Sequence, residues 1–337
     1  INKVLSRIES ILKMACVQLF CFVPLKLIQN ETLLNHDSII TIKKQKAKHM
    51  KQILFLGVLL IAACGGSSDK KTAEQADSVK TPELVLKWES DSSLKVPESV
   101  LFDKDNQILY VSNVDGTNPW EADGKGSIAK VGLDGKVIAA EWVSGLHAPK
   151  GMGKHNGKLY AADLGDIAVI DIASGKIDKR IPVEGASGLN DISIDPNGVI
   201  YVTEYLAKKL YKIENGKAEL IAENLTQPNG VLFHNNELFL LDGTGMFKVN
   251  ADKSLAKIAD GMEGGIDGIE NIEGNDFIVS CWEGALWHVN TDGTKNLLMD
   301  TRAEKRSTAD IGFDPTTKTV YVPTFFRNTV VAYEVKL

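Results

Sequence analysis

Between Gln227 and Asp242 the chain reads as two apolar runs around a polar centre. Pro228-Asn229-Gly230 leads into Val231-Leu232-Phe233, the polar turn His234-Asn235-Asn236 follows, and Leu238-Phe239-Leu240-Leu241 closes on an acid. Apolar runs this short, bounded by turn residues, predict β-strands rather than helices. The same pattern recurs at residues 97–112, 149–163, 189–204, 266–280 and 309–323, making six copies. A third apolar run follows at 127–131, 167–171, 209–213, 245–249 and 285–289. The pairs Asp134-Gly135, Ser174-Gly175, Asn215-Gly216 and Asp292-Gly293 then lead to a fourth. Such dipeptides suit the positive φ angles of tight hairpin turns. Four short antiparallel strands in each unit of about 40 residues is the spacing of a propeller blade. The prediction is an all-β fold, a six-bladed β-propeller. The last copy has only three strands before residue 337, and the apolar run 84–88 supplies the fourth, closing the ring without an unpaired edge.

The pattern is missing upstream. Met50-Lys51, the apolar run 53–63 and Cys64-Gly65-Gly66-Ser67-Ser68 read as a secretory signal peptide, too short to span a bilayer comfortably. Ile61-Ala62-Ala63-Cys64 resembles a bacterial lipobox, in which Cys64 is acylated and becomes the first residue. Residues 67–81 are polar and bury too little to fold. The expected organisation is therefore an upstream segment and signal peptide over 1–63, starting at Met50, a lipidated Cys64 and tether over 64–82, and the propeller over 83–337. A second reading takes residues 14–25 as an inserted segment. The expected location is the bacterial cell envelope, with a membrane contact made through the lipid.

Charge narrows the partners. The whole chain carries −6, and nine Lys/Arg against three Asp/Glu in residues 1–63 leave −12 on the remainder. So acidic a domain argues against nucleic acid, and a monomer is expected. After cleavage only Cys64 and Cys281 remain, so no disulfide forms within the chain. Cys281 reads as a small buried side chain.

In a propeller the innermost strand of each blade runs down the central channel, and the residue opening it points toward the axis. Aligning the copies makes Glu98, Lys150, Asn190, Asn229, Asp267 and Asp310 equivalent, at intervals of 52, 40, 39, 38 and 43 residues. The long first interval comes from the loop 113–126. All six are polar, and five offer oxygen. A hard divalent cation, calcium above all, would hold such oxygens together. The competing reading is a water-filled polar channel in which Lys150 neutralises its neighbours. His147, just before Lys150, reads either as a proton shuttle at the mouth or as an exposed loop residue. The second strands end on the same face, and their loops carry Trp120, Tyr205, Phe325 and Phe326, either as a rim for a small organic ligand or as covers for blade edges.

At these residues the chain resembles the senescence-marker-protein/gluconolactonase family and its diisopropyl-fluorophosphatase and paraoxonase relatives. The resemblance rests on Pro97-Glu98, Asn190-Asp191 followed by Asp195-Pro196-Asn197-Gly198, Pro228-Asn229-Gly230 and Ile266-Asp267-Gly268. It implies that Glu98, Asn190, Asn229 and Asp267 surround a divalent ion, usually calcium. It also implies that Asp267 is the catalytic carboxylate in hydrolysis of an ester or lactone, a small-molecule substrate. Lys150, Asp310 and His147 are then the expected substrate-binding residues. Gly188 departs from the family's sugar-lactone hydrolases, which carry Arg there. A non-catalytic propeller that binds a ligand or partner at the same mouth is the alternative from a different class.

Overall fold

The computed structural model describes residues 82–337. The signal peptide, Cys64 and most of the tether lie outside the described residues. Six four-stranded antiparallel sheets follow one another in chain order. The first five are simple meanders, with innermost strands Pro97–Asp103, Pro149–His155, Leu189–Ile194, Pro228–His234 and Ile266–Glu273. The sixth combines Gly312–Asp314, Thr319–Pro323 and Val330–Lys336 with the N-terminal strand Glu83–Glu89. Leu84 pairs with Val335 and Trp88 with Ala332, so the first and last strands close the ring as expected.

The unbroken apolar runs of the second strands follow from burial on both faces. Successive side chains of a strand point to opposite sides. Thus Leu109 and Val111 pack toward blade six while Tyr110 packs toward blade two. Phe239 and Leu241 face blade five, and Leu238 and Leu240 face blade three. Each blade-to-blade junction holds one apolar cluster of this kind. Cys281 is fully buried in one of them, and burial pushes its thiol up to about 12, so it is a packing residue. The predicted hairpin turns hold, with Gly135, Gly175, Gly216 and Gly293 all at positive φ.

Trp88 fastens the closure. Its indole Nε1 donates to Leu133 O at 2.8 Å, its ring lies 5.8 Å from Tyr321, and the Gly135 turn packs against it. It therefore joins the closing strand to blade one. Trp88→Ala should cost about 3 kcal/mol, at the low end for an aromatic truncation because Trp88 is only half-buried. Urea unfolding measures this, and an unchanged midpoint would show that the ring closes without it.

Candidate functional site

A register break at the start of the innermost strand turns one residue toward the axis. Pairing jumps from Pro97↔Asn113 to Ser99↔Ser112, and from Pro149↔Asp163 to Met152↔Ala161. It jumps likewise from Leu189↔Glu204 to Ile192↔Val202, from Pro228↔Asp242 to Val231↔Leu240, and from Ile266↔Cys281 to Ile269↔Val279. Such breaks re-aim side chains out of the regular ladder. Here they release Glu98, Lys150, Asn190, Asn229 and Asp267. Side chains at the ends of the second strands hold the entry segments in place. Asp163 accepts the backbone N–H groups of His147 and Ala148 at 2.9 Å each, and Glu204 accepts those of Ser187 and Gly188 at 3.1 and 2.7 Å. Asp242 accepts those of Thr226 and Gln227 at 2.8 and 2.7 Å. These acids are braces for the backbone.

In three blades the residue after the ring position lies where neighbouring inner strands nearly touch. A Cβ on Gly151 would come within 2.5 Å of Asp191 Cα, one on Gly230 within 2.3 Å of Asp267 O, and one on Gly268 within 2.4 Å of Asp310 Oδ1. That contact accounts for the Lys-Gly, Asn-Gly and Asp-Gly pairs.

Glu98, Lys150, Asn190, Asn229 and Asp267 are all buried and line one cavity of about 340 Å³ at the mouth. Glu98 Oε2, Asn190 Oδ1 and Asp267 Oδ1 have no hydrogen-bond partner, while Asn190 Nδ2 donates to Asn229 Oδ1 at 2.7 Å. Burial pushes the Glu98 carboxyl up to about 8, with Lys150 opposing the rise and Asp310 adding to it. Asp267 is raised well above the carboxylate range by burial first, then by Glu98 and Asp310. Lys150 does not pair with either. Its ammonium donates to Pro119 O at 2.6 Å and Ala148 O at 3.3 Å and sits 4.4 Å from the centre of the Trp120 ring. Burial lowers its pKa, opposed first by Glu98.

Asp310 does not join this ring, which corrects its alignment. Asp310 N–H donates to Glu98 O and Val100 N–H to Asp310 O, so Asp310 stands level with Ser99, whose hydroxyl donates to it at 2.5 Å. Ala309 therefore occupies the sixth ring position. The one-residue slip arose because Ala309-Asp310-Ile311-Gly312 resembles Ile266-Asp267-Gly268-Ile269 in two registers. Asp310 instead faces a second axial cavity of about 350 Å³, together with Asp191 and Glu270. Burial raises all three, Asp310 to about 7. Asp191 and Glu270 were missed as axial groups, although each follows a ring residue by one to three positions. His147 is not brought to the mouth cavity; its backbone N–H is bound by Asp163 and its Nδ1 is buried without a partner. Gly188 has Leu206 packed where a side chain would start.

Aromatic side chains form the walls. Trp120 stacks on Tyr205, and Trp282, Phe325 and Phe326 meet edge to face. All five line the cavity. Among the described residues no three His, Cys, Asp or Glu side chains converge as a metal cluster. The candidate donors at the mouth are two carboxylates and two amides.

Solved structures with the same fold include virginiamycin B lyase from Staphylococcus aureus, in a catalytically inactive form with quinupristin. It is 12% identical with a TM-score of 0.53, over 75% of this chain and 99% of that one. A streptogramin B lyase is also 12% identical, with a TM-score of 0.56 over 76% of this chain and 98% of its own. At that identity the likeness is one of fold. No curated protein sequence matches the chain. The sequence profile of the SMP-30/Gluconolactonase/LRE-like region covers residues 96–325, which include every ring position, and on that match the chain belongs to this family.

Proposed function

We propose that this protein is a lipid-anchored hydrolase of the bacterial envelope that cleaves a small ester or lactone at the axial mouth, with a divalent cation as cofactor. The observation that carries the reading is the set of three buried, unpartnered oxygens, Glu98 Oε2, Asn190 Oδ1 and Asp267 Oδ1, drawn from three blades into one cavity. Buried polar atoms without partners are costly. A cation would satisfy them, and Lys150 has turned away from that role. The donors are all oxygen, which selects a hard ion such as calcium. Glu98, Asn190, Asn229 and Asp267 would hold it. When bound, such an ion supplies Lewis-acid polarisation of a carbonyl and neutralises the carboxylates.

Asp267 then serves as the base. It takes a proton from water as the water oxygen bonds to the carbonyl carbon, and returns the proton to the departing alkoxide as the C–O bond breaks, leaving acid and alcohol. The aromatic walls reduce water access, which strengthens electrostatic interactions at the floor. The acid braces and the inter-blade glycines keep the ring residues in place, as preorganisation requires.

Four outcomes test the site. Calcium at about 100 times its Kd should stabilise by ~2.7 kcal/mol, roughly 5–10 °C for a domain of this size. Glu98→Gln should abolish that shift, and Asp267→Asn should remove hydrolysis in a lactone and aryl-ester panel. In the chelated protein a Glu98 pKa of about 8 lies above its unfolded value of 4.5. Its contribution to stability is complete below about 4.5 and lost as pH rises through about 8, so rescue by calcium should grow over that window. Melting unmoved by calcium or EDTA throughout would sink the cation.

The envelope location rests on the lipobox-like segment ending at Cys64. Acylation makes such attachment stable, since a polar tether has no affinity for a bilayer. Cys64→Ala should move the protein from the membrane to the soluble fraction, and mass spectrometry of an N-terminus upstream of Cys64 in the mature protein would contradict it.

A further inference from the structure

The mouth carries two aromatic walls on opposite sides of the axis. Trp120 of blade one and Tyr205 of blade three stack at 5.5 Å with 18° between their planes, so they meet above blade two. Trp282 of blade five joins Phe325 and Phe326 of blade six, with ring separations of 4.8 to 6.2 Å. The first wall spans blades one to three and the second spans blades five and six across the ring, and the oxygen-bearing residues line the same cavity as both.

Both walls are held before any ligand arrives. Three bulky apolar residues among the described ones adopt a left-handed backbone, Val96 at φ 55°, Leu164 at 61° and Phe325 at 49°. The other non-glycine residues with positive φ are Asn, Asp, Gln or Lys. Left-handed backbone is unfavourable for bulky side chains, and such strain concentrates where a function requires a fixed shape. All three lie at this face. Val96 and Leu164 pack with Val114 and Ala148 against Trp120, and Phe325 is itself part of the opposite wall. Lys150 adds a clamp from below, through its bond to Pro119 O and its ammonium against the Trp120 ring. Phe326 remains 54% exposed, a large apolar surface left in water at the rim.

We propose that the mouth is a preorganised slot for a flat apolar group, so that the substrate class is an aryl ester or aryl-fused lactone rather than a polyhydroxylated sugar lactone. Aromatic rings offer such a group stacked and edge contacts beyond simple burial. The inference deepens the hydrolase reading and rests on it for the reacting bond, whereas the slot itself stands on the walls.

Methyl 2-naphthyl ketone, flat and without a hydrolysable bond, separates the two. Its binding to the full chain is measured by calorimetry, with D-glucono-1,5-lactone as comparator. The ketone should bind at least about tenfold more tightly than the lactone, and Trp120→Ala and Phe326→Ala should each weaken it by about tenfold, the size of one good aromatic contact. Phe326 is exposed enough that its loss leaves folding intact. Equal or weaker binding of the ketone, or wild-type affinity in both variants, would overturn the slot. A protein that binds the ketone with these losses yet hydrolyses no 2-naphthyl acetate would support the slot and refute the hydrolase.

Discussion

Desolvated negative charge on the axis is the constraint on which this structure depends. Six inner strands converge until glycine is the only residue that fits at Gly151, Gly230 and Gly268. That convergence strips water from Glu98 and Asp267 at the mouth and from Asp191, Glu270 and Asp310 below. Isolated buried carboxylates respond by staying protonated or by finding a cation. The only cation in the ring, Lys150, is committed to two carbonyls and a tryptophan face. The upper carboxylates therefore have no cationic side chain to pair with, and the proposed ion would answer that need, which is why the fold and the proposed chemistry are one problem.

Much of the fold was legible because blade packing repeats a simple rule. Both faces of each second strand are covered, so the apolar runs are continuous and the Gly-containing turns punctuate them. The closing strand could be inferred because an unpaired edge is unfavourable. Glu98, Lys150, Asn190, Asn229 and Asp267 were legible as a ring because the copies align at the position where a register break recurs in five of the six blades. Asp310 was misplaced because blade six lacks the Pro or Leu that precedes the ring residue elsewhere in four blades, and one residue of slip changes which cavity a side chain faces.

What could not be read was direction. Lys150 was legible as an axial cation, but its turn toward Pro119 depends on where the loop 113–126 falls in space. The acids that end the second strands, Asp163, Glu204 and Asp242, carry no mark of their role in the sequence, and only their backbone partners show them as braces. Left-handed backbone at Val96, Leu164 and Phe325 runs against local preference and is imposed by the mouth. His147 follows the same logic: its backbone is used and its ring does not line the cavity.

The most direct measurement is elemental analysis by plasma emission of the full chain purified without chelator, paired with calorimetric titration of calcium. The account predicts a stoichiometric divalent cation in the purified protein, removed by EDTA and restored with measurable heat by calcium. A protein free of divalent metal that takes up calcium with no heat would contradict it, and would return the axis to protonated carboxylates.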